Sequence, residues 1–157
     1  MKRILVVSDS HGRTTHLQAL IFSLRDRYDI IIHLGDRVLD MLNVDTFKKE
    51  VILLRGNMEL LTPQVKQVSE VERVIEIEEL KVFATHSHIY HTHYTLSFLK
   101  SAAKKYEASL VLFGHTHHQE NFSEDGIVYV NPGAFKDGHY GIIELSLRKI
   151  DKIELFN

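Results

Sequence analysis

Five short apolar runs in this chain each stop abruptly at a cluster of Asp, His or Asn. They are "ILVVSDSH" (4–11), "IIIHLGD" (30–36), "VILLRGN" (51–57), "KVFATHSH" (81–88) and "LVLFGHTH" (110–117). Runs of this length, rich in β-branched residues and closed by polar punctuation, predict strands. Between the first two, Leu17, Leu20, Ile21 and Leu24 recur at helical spacing, as do Leu96, Leu99, Ala103 and Tyr106 ahead of the fifth. Strand, helix, strand in alternation implies crossover units, a largely parallel arrangement near the N-terminus, and helices covering the sheet.

The later part reads differently. "VERVIEIEELKVFAT" holds two β-rich runs around Glu78 and Glu79, and "ENFSEDGIVYV" has an Asp125-Gly126 turn, so both predict hairpins. "YGIIELSLRKIDKIELF" predicts a further strand pair at the end. The expectation is an α/β fold, a two-sheet β-sandwich flanked by helices, in one domain over 1–157; a chain of 157 residues suits that size.

Composition narrows the function classes. A net charge of −2 gives no electrostatic reason to expect nucleic acid, and no basic patch stands out. With no cysteine, disulfide frameworks, iron–sulfur clusters and thiolate zinc sites are excluded, which fits a reducing compartment. The apolar run before Ser8 is too short for a signal-peptide core or a membrane span, so a cytoplasmic location without a membrane partner is expected. Eleven histidines, spread along the chain rather than gathered in a tract, direct attention to a folded site.

Polar residues at the carboxyl ends of strands in an open α/β sheet share one edge, where ligands bind. In an extended segment residues i and i+2 point the same way, so Asp9 with His11, and His115 with His117, are each expected to present a pair of ligands to one cavity. Gly35, Gly56 and Gly114, each just before a polar residue, are expected to let the backbone turn tightly.

The ordered set D-x-H, GD, GN, H and G-H-x-H resembles the calcineurin-like metallophosphoesterases, and "SDSHG", "THSH", "GHTH" and "NPGAF" (131–135) are similar to their small bacterial and archaeal phosphodiesterase branch. The resemblance implies a four-layer αββα fold and a binuclear centre. Asp9, His11, Asp36 and His117 would hold one metal; Asp36, Asn57, His86 and His115 would hold the second, with Asp36 shared. Two divalent transition-metal ions are implied, manganese favoured, with iron, zinc, cobalt or nickel as alternatives suited to mixed imidazole and carboxylate ligands. Two divalent cations, less two carboxylates and one hydroxide, leave one positive charge for a phosphate anion. The implied activity is hydrolysis of a phosphate ester, a phosphodiester before a monoester, by a metal-activated hydroxide.

Departures from the pattern carry information. Met58 follows Asn57 where many larger relatives have a histidine that protonates the leaving group; such acids contribute about 10² to 10⁴ in rate. His88 is the first substitute, as acid or phosphate contact, ahead of His91 and His93. Ser87 and Ala134 replace a common glycine and serine. Arg13 and Arg37, and less so Arg55, are candidates for holding substrate phosphate. His16, His33 and His118 read as ordinary histidines, and His139 is undecided. "NPGAF" reads as a turn that brings a backbone carbonyl or Asn131 to the site rim. Residues 88–95 and 119–126 are expected to shape specificity, and exposed strand edges offer a route to a homodimer. The same fold also serves as a non-enzymatic assembly subunit in retromer, so a metal-binding scaffold is the alternative function.

Overall fold

Successive side chains of the central strands point to opposite faces, and in this chain both faces are apolar. The computed structural model describes all 157 residues, Met1–Asn157. In chain order the elements are β1 (Lys2–Val7), α1 (Thr14–Ser23), β2 (Ile30–His33), α2 (Leu39–Leu42), β3 (Glu50–Leu53), α3 (Pro63–Val68), β4 (Glu72–Ile77), β5 (Leu80–Thr85), α4 (Ser97–Lys105), β6 (Leu110–Phe113), β7 (Gln119–Glu124), β8 (Ile127–Pro132), β9 (Tyr140–Ser146) and β10 (Lys149–Phe156). Single 3-10 turns lie at His88–Tyr90 and Phe135–Asp137. No helix is long and apolar enough to cross a membrane.

The strands form two five-stranded sheets, ordered β10-β9-β1-β2-β3 and β4-β5-β6-β8-β7. In each, three neighbouring strands run parallel: β1, β2 and β3 in the first, β5, β6 and β8 in the second. Antiparallel strands complete both sheets. The parallel pairs β1–β2 and β5–β6 require crossovers, which α1 and α4 supply on the outer faces. The β4–β5 and β7–β8 hairpins turn on two residues each, Glu78-Glu79 and Asp125-Gly126, all four with positive φ, the backbone that matches strand twist.

Alternation assigns the layers. Ile4, Val6, Ile32, Val82, Leu112 and Ile143 face inward and form the core between the sheets. Their neighbours Leu5, Val7 and Ile31 face outward against Leu17 and Ile21 of α1. Phe83, Val111 and Phe113 do the same for Leu99 and Ala103 of α4. The result is a helix, sheet, sheet, helix sandwich, in which burial on both sides accounts for the continuous apolar runs.

Two details go beyond what the sequence specifies. The C-terminal pair joins the N-terminal sheet, because β9 pairs antiparallel with β1 along Lys2–Val6. That closes the edge of β1 opposite β2 with pairing between the two ends of the chain. The helices α2 and α3, four and six residues long, escaped the pattern because so short a segment shows no repeat. Thr62 marks the start of α3, its hydroxyl accepting the Val65 N–H at 3.2 Å ahead of Pro63.

Leu112, fully buried between the sheets, and Leu147, 63% exposed in the β9–β10 turn, give a matched test of this layering. Leu112→Ala is expected to lower unfolding free energy by about 2–5 kcal/mol in urea titrations. Leu147→Ala is expected to stay within about 0.5 kcal/mol.

Candidate metal centre

The polar residues that follow the strands converge, but not by strand alternation. β1 ends at Val7 and β6 at Phe113, and Asp9, His11, Asp36, His115 and His117 all lie beyond the strands with φ between 43° and 71°. Left-handed backbone is uncommon outside glycine, though Asp and His tolerate it better than most, and it persists only where surrounding structure over-determines it. The expected extended i, i+2 pairs are therefore corrected: each pair meets because the chain reverses sharply at both members. The glycines also act differently from one another. Gly35 does have positive φ, at +115°, but Gly56 and Gly114 are needed for clearance. A Cβ on Gly56 would sit 2.1 Å from Asp36 Oδ1, and one on Gly114 2.2 Å from Ser8 Oγ.

His86 is the centre of the cluster. Its Nδ1 lies 2.9 Å from the Leu34 carbonyl, an acceptor only, so Nδ1 carries the proton. Nε2 then faces three oxygens: Asn57 Oδ1 at 3.1 Å, Asp36 Oδ2 at 3.4 Å and Asp9 Oδ1 at 3.9 Å. A neutral ring would oppose lone pair to lone pairs there, so the arrangement needs either a second proton on His86 or a cation. His11 Nε2 repeats the theme, buried with no hydrogen-bond partner and 3.7 Å from both Asp9 Oδ1 and Asp36 Oδ2. His117 Nε2 lies 3.0 Å from Asp9 Oδ1.

Each carboxylate has one oxygen held by amide or hydroxyl donors and the other, free of them, turned toward the histidines. Asp9 Oδ2 accepts from Ser8 Oγ and from the His115 N–H at 3.3 Å, and Asp36 Oδ1 accepts the Met58 N–H at 2.8 Å. The free oxygens and the histidine nitrogens form two groups able to hold a cation, Asp9 with His11 and His117, and Asp9 with Asp36 and His86, their ligand atoms all within 4.8 Å. These two groups share Asp9, whereas the family pattern shares Asp36, whose single free oxygen faces both His11 and His86. The donor set, imidazole nitrogens with carboxylate and amide oxygens, fits a divalent transition metal. His115 joins through its ring, 5.1 Å from that of His86.

Electrostatics follow from this packing. Burial would raise the Asp36 carboxyl, but the His86 hydrogen bond and charge and the Met58 amide outweigh it and bring its pKa to about 2. Burial pulls His86 down, yet the Asp36 hydrogen bond and the charges of Asp9 and Asp36 raise it overall. His115 is lowered to about 4, mainly by burial and then by repulsion from His86 and His93.

A surrounding frame was not read from the sequence. Asp40 is buried and accepts from Ser10 Oγ at 2.7 Å, Gly12 N at 2.8 Å and Thr14 Oγ1 at 3.1 Å, holding the loop that carries His11. Glu59 accepts from the amides of Arg37 and Val38 at 3.0 Å and of Gly56 at 3.2 Å, joining the loops of Asp36 and Asn57. Asn131 donates to the Gly114 carbonyl at 3.2 Å and to Thr116 Oγ1 at 3.0 Å, while the Phe135 and Lys136 amides bond the Ser8 and Asp9 carbonyls. "NPGAF" thus braces the "SDSH" and "GHTH" loops. Only the position of Asp40 and Glu59 near motif residues could have signalled them, since burial of a carboxylate leaves no sequence mark.

Other singled-out residues lie around the rim. The His88 ring is 5.5 Å from His86 and 6.1 Å from His115, with Nδ1 buried and unpartnered, and burial lowers its pKa. His93, ranked behind it on sequence, is nearer, 4.0 Å from the His115 ring, whereas His91 packs on Phe98. The Arg37 guanidinium faces Asp40, Nε to Oδ1 3.8 Å, and Arg13 lines a separate groove with His16, Phe135 and Lys136.

His33 is buried beneath the cluster. Its Nδ1 accepts the Gly35 N–H at 3.1 Å, so Nε2 is the protonated nitrogen and donates to Ser10 Oγ at 2.9 Å, which in turn donates to Asp40. Full burial lowers its pKa to about 4, so the folded state holds it neutral after the unfolded chain has begun to protonate. The contribution is complete above pH 6.5 and lost as pH falls toward 4, on the order of 3 kcal/mol. In metal-free protein, urea unfolding from pH 7 to 4.5 is expected to show falling stability, with a shallower slope in His33→Gln; equal slopes would contradict the buried neutral ring.

The chain resembles known proteins in both sequence and fold. Residues 1–146 match the model of the calcineurin-like phosphoesterase superfamily domain. The chain is 27% identical to a phosphodiesterase of Methanocaldococcus jannaschii, across 97% of this chain and 95% of the relative. Among solved structures, a conserved protein of Streptococcus pneumoniae described as a predicted phosphoesterase superposes with a TM-score of 0.80 at 22% identity, over 99% of this chain and 89% of the other. Entamoeba histolytica Vps29 in complex with zinc superposes at 0.71 and 17% identity, over 98% and 97%. With the fold, the ordered loops and the matched 146 residues in agreement, the chain belongs to the calcineurin-like phosphoesterase superfamily.

Proposed function

We propose that this protein is a metal-dependent phosphoesterase that hydrolyses a phosphodiester in preference to a monoester. Asp9, His11, Asp36 and His117 would hold one divalent cation and Asp36, Asn57, His86 and His115 a second, manganese foremost. The observation that carries the reading is His86 Nε2, buried and facing three oxygens from Asn57, Asp36 and Asp9. When bound, the cations supply a hydroxide near neutral pH and a counter-charge for phosphoryl oxygens. Asp36 stays ionised well below neutral pH, and His115 keeps a free lone pair there because its pKa lies near 4. The Leu34 carbonyl fixes the His86 tautomer that aims Nε2 inward. One residual positive charge matches the single negative charge of a diester better than the two of a monoester.

Met58, its side chain exposed, gives its amide to Asp36 and offers no proton through its thioether. His88, neutral at pH 7 because burial lowers its pKa, takes the role of a hydrogen-bond donor to phosphate rather than of a proton source. A binding scaffold is the second reading, favoured by three exposed apolar side chains beside the Asn57 loop: Met58 (60%), Leu60 (51%) and Leu61 (59%).

With manganese, bis(p-nitrophenyl) phosphate is expected to be cleaved faster than p-nitrophenyl phosphate, and Asp36→Asn or His115→Ala to lower kcat at least about 100-fold with loss of bound metal by elemental assay. Full metal loading with no turnover of either ester would support the scaffold.

A cation at His86 Nε2 would also compete with a proton there, because that nitrogen is the one facing the carboxylates. The raised His86 pKa stabilises the metal-free fold at low pH, and that contribution is lost as pH rises through it. Manganese is therefore expected to raise Tm more at pH 8 than at pH 6; a pH-independent rise would contradict this account.

A further inference from the structure

A polar groove of about 260 Å³ opens beside the cluster and is lined by Thr92, His93, Tyr94, Thr95, Leu96, Thr116, His118 and Glu120. Two of its lining residues adjoin the centre. The His93 ring packs 4.0 Å from that of His115, and Thr116 sits between His115 and His117. Its size falls below that of pockets enclosing a whole drug-sized ligand and suits one arm of a larger substrate.

The groove is built rather than incidental. Thr116 Oγ1 is held by Asn131, Thr92 Oγ1 lies 2.8 Å from Ser87 Oγ, and the amides of Tyr94 and Thr95 both bond the His91 carbonyl. Against this fixed wall Tyr94 stands 90% exposed, an aromatic face that packs on nothing in the protein. Opposite in character is Glu120 at the start of β7, a half-buried carboxylate that burial makes harder to ionise and that can accept N–H or O–H donors. No lysine or arginine lines the groove, and nearby Lys100 is paired with Glu124. A second phosphate would find no permanent cation there.

Resting on the phosphodiesterase reading, we propose that this groove is the subsite for one organic arm of the diester. It selects an uncharged arm with a flat ring and hydrogen-bond donors, a nucleoside, with Tyr94 stacking on the ring and Glu120 accepting its donors. Every base offers a π-face to an exposed aromatic side chain, and a carboxylate accepts a base N–H, such as the N3–H of thymine, or a sugar hydroxyl. His93 and Thr116 border the phosphate end.

The test compares two diesters with one leaving group, thymidine 5′-(p-nitrophenyl phosphate) and methyl p-nitrophenyl phosphate, in manganese. Wild-type kcat/KM is expected to favour the thymidine ester at least about tenfold. Tyr94→Ala and Glu120→Gln are expected to lower that preference about tenfold while changing methyl-ester cleavage less than about twofold. Both sites are partly or largely exposed, and an unchanged melting curve establishes that the variants fold. A wild-type preference near one, or variants that lower both esters equally, would overturn the proposal. Should neither ester be cleaved with any metal, the phosphoesterase reading fails and the groove is tested alone by saturation-transfer NMR with thymidine. Transfer in wild type that Tyr94→Ala abolishes would uphold the groove as a nucleoside site; no transfer would overturn it.

Discussion

Two carboxylates, Asp9 and Asp36, are buried against the same imidazoles, and the charge they place in the interior is the constraint around which this structure is organised. Buried charges are costly unless paired and hydrogen-bonded, and here the pairing is incomplete by design of the loops. Each carboxylate has one oxygen satisfied by an amide or hydroxyl and one turned toward the shared space. His86 can meet the free oxygens only as a doubly protonated ring, because its other nitrogen is committed to Leu34. A divalent cation would remove the conflict without a proton, which links the acid–base state of the cluster to the chemistry proposed for it.

Holding five non-glycine residues in left-handed backbone at one edge requires a scaffold that does not yield. The sandwich supplies it. Strands β1, β2 and β6 are buried on both faces, so their ends cannot shift without disturbing two apolar layers at once. Asp40, Glu59 and Asn131 then fasten the loops to one another rather than to the sheets. Strain at the site is thereby supported by packing and by a closed hydrogen-bond frame, a common arrangement where function depends on geometry.

Much of the architecture was legible. Continuous apolar runs and two amphipathic stretches marked the central strands, α1 and α4, because burial on both faces of a strand forces composition at every position. The seven ordered Asp, His and Asn residues stood out because such side chains at strand ends serve no packing purpose. Less was legible where a residue's role depends on what lies opposite. His88 and His93 sit five residues apart on similar terms in the chain, yet only the folded loop brings His93 closer to His115. Gly56 and Gly114 looked like turn residues but are there because Asp36 and Ser8 leave no room for a Cβ.

By itself the sequence determined the layer order, the identity of the polar residues at the strand ends and the absence of thiol chemistry, since these follow from side-chain type and local periodicity. Tertiary structure alone decided that the C-terminal strands close the first sheet, that left-handed turns rather than extended pairs aim the site residues, and that buried Asp40, Glu59 and His33 hold them. The reason is one of range: periodicity records what a residue does relative to its chain neighbours, whereas clearance, tautomer and the pairing of buried charge are set by atoms twenty to a hundred residues away.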